Sequence, residues 1–164
     1  MPRVAARARG FTLIEVMTAL AVLVILLLIA LPSYIDKLVR DQIGEALPLA
    51  EVVKPAVEAA WRAGLPLPAD NAAAGVPPAN KIVNAVVSSV TLENGAIHIV
   101  FGNSAHNSIK GRTLTLRPAV VQDTRAVPVA WLCASAAVPG QMVAKGVDRT
   151  DVPVALLPLR CRGK

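Results

Sequence analysis

The chain has 164 residues, 54% of them hydrophobic but only 3% aromatic, with 17 basic against 11 acidic side chains, 13 prolines and two cysteines. So much apolar content excludes a disordered polymer, and two cysteines are too few for a disulfide-dense miniprotein or a four-cysteine zinc site. The length allows one domain plus a special segment. That segment is easily found, because from Val16 to Leu31 the single polar residue is Thr18. A run of this kind suits a membrane, and the remainder of the chain must form a soluble domain.

Residues 1–10 carry Arg3, Arg7 and Arg9 with no acidic residue, and an apolar stretch follows from Phe11 to Ile35. A basic flank favours keeping that end cytoplasmic. A secretory signal peptide would have a shorter apolar core, about 7 to 15 residues, closed by a small-x-small cleavage site. Here the run is longer and ends in Leu31-Pro32-Ser33-Tyr34. A plain single-pass anchor fits the length but not Glu15. An ionised carboxylate costs about 2.5 to 3.5 kcal/mol at the bilayer centre, and less near the interface. Such a residue calls for a partner. A cut between Gly10 and Phe11 would create an α-amino group on Phe11, which a neighbouring copy could present to Glu15.

Gly10-Phe11-Thr12-Leu13-Ile14-Glu15, after a short basic leader and before an uncharged apolar run, resembles the processing site of type IV prepilins. The resemblance implies that a membrane aspartyl prepilin peptidase removes residues 1–10 and N-methylates Phe11. It also implies that Glu15 registers assembly and that Pro32 bends or loosens the helix in a filament.

From Asp36 to Arg62 the pattern becomes amphipathic. Val39, Ile43, Ala46, Ala50, Val53, Val57 and Ala60 recur at alternating spacings of four and three, which is one apolar stripe on a helix. Pro48 and Pro55 each remove an N–H and crowd the preceding turn, so curvature or a break is expected around residues 44–55. Residues 63–85, rich in Pro, Ala, Asn and Gly, read as a connecting loop.

Residues 86–133 carry the strand signals. Val86 to Glu93 and Ala96 to Phe101 flank Asn94-Gly95, the dipeptide that accepts positive φ at both turn positions. A two-residue loop sets Leu92 opposite Ile97 and Val90 opposite Ile99, leaving Thr91 and His98 on the other, polar face. Residues 112–117 alternate again, as do Val127, Val129, Trp131 and Cys133. The expected fold is α+β: a long N-terminal helix packed through its stripe on a four-stranded antiparallel meander.

Cys133 and Cys161 could be a reduced pair in the cytosol or a disulfide in an oxidising compartment. With the basic leader inside, the domain is exported, and a disulfide persists there. The surroundings extend the resemblance: Trp131-Leu132-Cys133, Asp148 to Pro153, Leu157-Pro158 and Cys161-Arg162 look like the disulfide-bounded end, here residues 133–161, of type IVa major pilins of Gram-negative bacteria.

No catalytic constellation, zinc spacing or phosphate loop stands out, so no enzyme activity, metal or cofactor is expected. His98 and His106 read as surface histidines. Removing the leader takes three arginines and leaves 14 basic against 11 acidic side chains. Arg149, Arg160, Arg162 and Lys164 gather near the C-terminus; they read as a solvated surface, with weak binding of DNA or another acidic polymer as the sharper alternative. The resemblance implies a structural subunit of a type IV pilus. It would be stored in the inner membrane with its globular part in the periplasm, processed by prepilin peptidase, and polymerised by the inner-membrane assembly machinery into an extracellular homopolymer. Adhesion, twitching motility or DNA uptake would be the roles it supports. The alternatives are a minor or DNA-uptake pilin, a secretion pseudopilin and, in another class, a membrane-anchored periplasmic binding module.

Overall fold

The computed structural model describes residues 10–163. The leader apart from Gly10, and Lys164, lie outside the described residues. The chain divides into two compact units between Lys37 and Leu38. Helix α1, Leu13–Ala46, starts in the first unit and ends in the second. In the first unit its apolar side chains, from Leu13 to Ile35, are exposed. By length and composition this helix is able to cross a membrane.

In the second unit, the last turns of α1 bury Val39, Ile43 and Ala46 completely. The helix then meets its prolines. A 3-10 segment, Leu47–Val52, carries Pro48 in its first turn, and α2, Lys54–Ala63, carries Pro55 in the same place. In the first turn of an element the missing N–H would have had no intrahelical acceptor. The backbone therefore restarts at each proline. The apolar stripe survives both restarts, with Ala50, Val53 and Val57 fully buried and Ala60 half-buried. Gly64, at φ +76°, closes α2. The Leu65 N–H reaches the Ala60 carbonyl at 3.0 Å and the Gly64 N–H reaches Trp61 at 3.1 Å, the two bonds of a Schellman ending.

The stripe faces an antiparallel sheet. Strands β1 (Val87–Glu93), β2 (Ala96–Phe101), β3 (Thr113–Val120) and β4 (Ala130–Cys133) lie in chain order. Asn94 and Gly95 take φ of 48° and 86° at the hairpin turn, the geometry that matches strand twist. Leu92 pairs with Ile97, Val90 with Ile99, and β3 continues the face with Leu116 opposite Ile97 and Leu114 opposite Ile99. These residues form one core with Val39, Ile43, Val53, Val57 and Phe101.

Three features depart from the expected meander. β3 runs on to Val120, whereas β4 begins only at Ala130, so Val127 and Val129 precede the strand. A fifth strand, β5 (Val143–Ala144), pairs with Ala119 and Val120. Because β4 already holds one edge of β3 at Ala119, β5 takes the opposite edge, where β2 has ended. The face expected to be polar is also covered. His98 is 4% exposed and Thr115 is fully buried, so His98 is not a surface residue. A strap of residues 145–151 crosses this face and is tied to it by hydrogen bonds from the Thr115 N–H to Thr150 Oγ1 and from the Arg149 N–H to Thr115 Oγ1, both 3.0 Å.

The free edge of β1 is closed by amide side chains instead of a strand. Asn71 Nδ2 donates to the Val90 carbonyl at 3.1 Å and to Pro77 at 2.9 Å, while its Oδ1 accepts the Leu92 N–H at 2.7 Å. Asn103 Nδ2 donates to the Val87 carbonyl at 2.8 Å. An edge satisfied in this way cannot template another strand. Replacing Asn71 by Ala strands these backbone groups, and the expected cost is about 2 to 3 kcal/mol. A lowered urea midpoint at unchanged slope would show it; an unchanged midpoint would refute it.

Candidate processing and assembly site

Gly10, Phe11 and Thr12 precede α1 as non-helical, exposed backbone. Phe11 is 82% exposed. Thr12 stands at the N-cap and Glu15 three residues on. The Glu15 N–H donates to Thr12 Oγ1 at 3.3 Å, and the Thr12 N–H donates to Glu15 Oε2 at 3.4 Å. These are long bonds, but together they make a reciprocal capping box, which satisfies two of the amides a helix start leaves without partners. The carboxylate thus lies back over the first turn, where the helix dipole favours negative charge. Further along, Thr18 Oγ1 donates to the Ile14 and Glu15 carbonyls, each at 3.0 Å, so this hydroxyl needs no outside partner in an apolar setting.

Glu15 is the single charged residue between Phe11 and Ile35. Among the described residues no cation pairs with it. The capping partner, Thr12, was not among the expected site residues, although Thr-x-x-Glu before an apolar run is a readable helix-start signal. Pro32 lies within the helical backbone of α1. Gly10, Phe11 and Glu15 come together at one end of α1; Pro32 is far along it in sequence, and the cysteines belong to the second unit.

Residues 39–162 match the pilin family, a family of bacterial filament proteins. The chain belongs to that family. Residues 5–31 match the prokaryotic N-terminal methylation motif. A type IV major pilin protein of Neisseria gonorrhoeae is 34% identical over 160 residues, covering 94% of this chain and 87% of that protein. A fimbrial protein of Neisseria meningitidis serogroup B is 39% identical over 109 residues, 66% of this chain and 64% of its own length. The fimbrial protein EcpC of Eikenella corrodens is 41% identical over 112 residues, 66% of this chain and 73% of its own. The chain thus spans less than two thirds of the meningococcal protein.

At the far end of this pilin, Cys133 and Cys161 form a disulfide across a sequence separation of 28. Both cysteines are buried in the core. Several cations of the second unit are bonded within the chain. Arg149 pairs with Glu93 at 2.6 Å, Arg162 donates to the Leu157 and Ala155 carbonyls, and Arg112 donates to Asp151. At His106 the ring Nδ1 accepts the Ser108 N–H at 3.2 Å, and the backbone N–H donates to Gln42 Oε1 at 2.9 Å. Among the described residues, no three of His, Cys, Asp or Glu converge as metal ligands do.

Cys161→Ser removes a closure of this length, which is worth about 3.5 kcal/mol in the chain-entropy description. The urea midpoint of the variant is expected to match that of the reduced native protein and to fall below that of the oxidised one. Equal midpoints for oxidised and reduced protein would contradict this role.

Proposed function

We propose that this pilin is the structural subunit of a type IV pilus, held in the inner membrane as a prepilin with its globular part in the periplasm. A prepilin peptidase cuts after Gly10 and methylates the new amine on Phe11. The assembly machinery then packs the subunits helix to helix into an extracellular filament that supports adhesion, twitching motility or DNA uptake.

The observation that carries this reading is one carboxylate in an otherwise uncharged, exposed apolar helix, five residues beyond Gly10. Burying Phe11 to Ile35 against neighbouring helices supplies a non-directional driving force. It says nothing about stagger. Pairing Glu15 with the amine of an adjoining subunit supplies the register, because an acid left unpaired in that bundle is strongly penalised. Pro32, which cannot donate to the carbonyl four residues before it, is the place where the helix would loosen in the filament.

Mass and N-terminal sequence of sheared surface filaments test the processing: the subunit is expected to begin with methylated Phe11, whereas an intact Met1 or a cut beyond Ala30 refutes it. Glu15→Ala is expected to leave cleavage intact and reduce filaments to traces. Abundant normal filaments from that variant would overturn the assembly role.

A further inference from the structure

His98 projects from β2 into the interface between the sheet and the strap of residues 145–151. Its Nδ1 lies 2.9 Å from Thr115 Oγ1, and that same oxygen accepts the Arg149 N–H at 3.0 Å. A hydroxyl has a single proton to give. Its oxygen has a lone pair for the Arg149 amide and another to spare, so the tautomer is set at the far side of the ring: the Glu93 carboxylate faces Nε2 and favours the imidazole proton there, and Nδ1 then accepts the Thr115 hydroxyl proton. Nε2 is buried without a hydrogen-bond partner. It faces Glu93 Oε2 at 3.6 Å, while the other oxygen of Glu93 is engaged by Arg149 at 2.6 Å. Two more charges complete the surroundings, Asp148 on the strap and Arg117 on β3, 3.9 Å apart.

We propose that the strap is a proton-operated latch: His98 and Thr115 hold it to the sheet while the imidazole is neutral, and protonation of His98 releases it. The reasoning is one of hydrogen-bond direction. A proton on Nδ1 sets an N–H against a hydroxyl that was donating, so Nδ1–H and the Arg149 N–H converge on one oxygen. The oxygen has a lone pair for each, but its own proton loses the acceptor it had in Nδ1. The added cation also competes with Arg149 for Glu93, and water reaches it only if the strap lifts. The disulfide keeps the lifted segment attached, because Cys133 and Cys161 flank it.

The sign follows from the same contacts. Burial, the largest influence, pushes the His98 pKa below the ordinary 6.5; Glu93 and Asp148 oppose that push and Arg149 adds to it. Strap attachment is therefore fully present above the ordinary histidine value and is lost as pH falls through the lowered one. None of these residues belongs to the N-terminal helix, so the proposal does not rest on the processing or assembly reading.

Amide hydrogen exchange of the oxidised full-length chain in detergent micelles, corrected for intrinsic rates, tests it between pH about 7.5 and about 5, where histidine titrates. Protection of the Arg149 and Thr115 amides is expected to fall several-fold, with the midpoint at which the His98 ring itself titrates by NMR. His98→Asn, which offers an acceptor near Nδ1 but does not titrate, is expected to keep protection across the range. Constant strap protection while His98 becomes protonated would overturn the proposal, as would loss of protection in folded His98→Asn with the native midpoint. If that variant does not fold, the coincidence of the two midpoints in the native chain decides alone.

Discussion

A single antiparallel sheet has two faces, and the second unit depends on both being covered. One face is apolar through Val90, Leu92, Ile97, Ile99 and Leu114, and it accepts the stripe from Val39 to Val57. This contact uses burial alone, which is non-directional and tolerant of backbone irregularity. That tolerance explains how the helical segment can break at Pro48 and Pro55 without losing its place. Each restart alters the backbone hydrogen bonds but returns the next small or β-branched side chain to the sheet.

The other face is covered by different means. Thr115 and His98 are polar and buried there. The strap approaches as irregular chain and is joined to the sheet by single hydrogen bonds: the Arg149 N–H donates to Thr115 Oγ1, while the Thr113 and Thr115 N–H groups of β3 donate to Asp151 Oδ1 and Thr150 Oγ1. Contacts of that kind are individually modest. The disulfide supplies what the hydrogen bonds lack, by limiting how far residues between Cys133 and Cys161 can depart in the unfolded chain. β5 adds a short pairing on the vacant edge of β3.

The first unit obeys another logic. From Leu13 to Ile35 it leaves its apolar side chains exposed, a surface that water does not tolerate and that lipid or other helices do. Its polar groups are therefore the informative ones. Thr18 turns its hydroxyl back on the helix, and Glu15 folds over the first turn to meet the Thr12 amide. Both devices satisfy groups locally. Among the described residues no cation cancels the charge of Glu15, and a charge, unlike a hydrogen bond, is cancelled only by another charge.

Periodicity and turn chemistry made much of this legible beforehand. The stripe, the Asn94-Gly95 hairpin with its register and the order of four strands are local or nearly local signals, whereas the disulfide was expected from the exported topology and the family resemblance. The pattern around Gly10 and Glu15 was equally plain, and Thr12 was readable there too. His98 was placed wrongly for a definite reason. Alternation tells which residues share a face of a strand, but not what lies over that face, and the strap arrives from more than forty residues away in the chain. The same holds for β5, whose two residues carry no alternation to detect, and for Asn71, whose amide closes a strand edge nineteen residues further on. Sequence alone thus determined the elements, their pairing and the apolar anchor with its acid, because neighbouring side chains dictate those. Tertiary structure decided which polar groups became buried, because burial depends on which distant segment comes to rest above them.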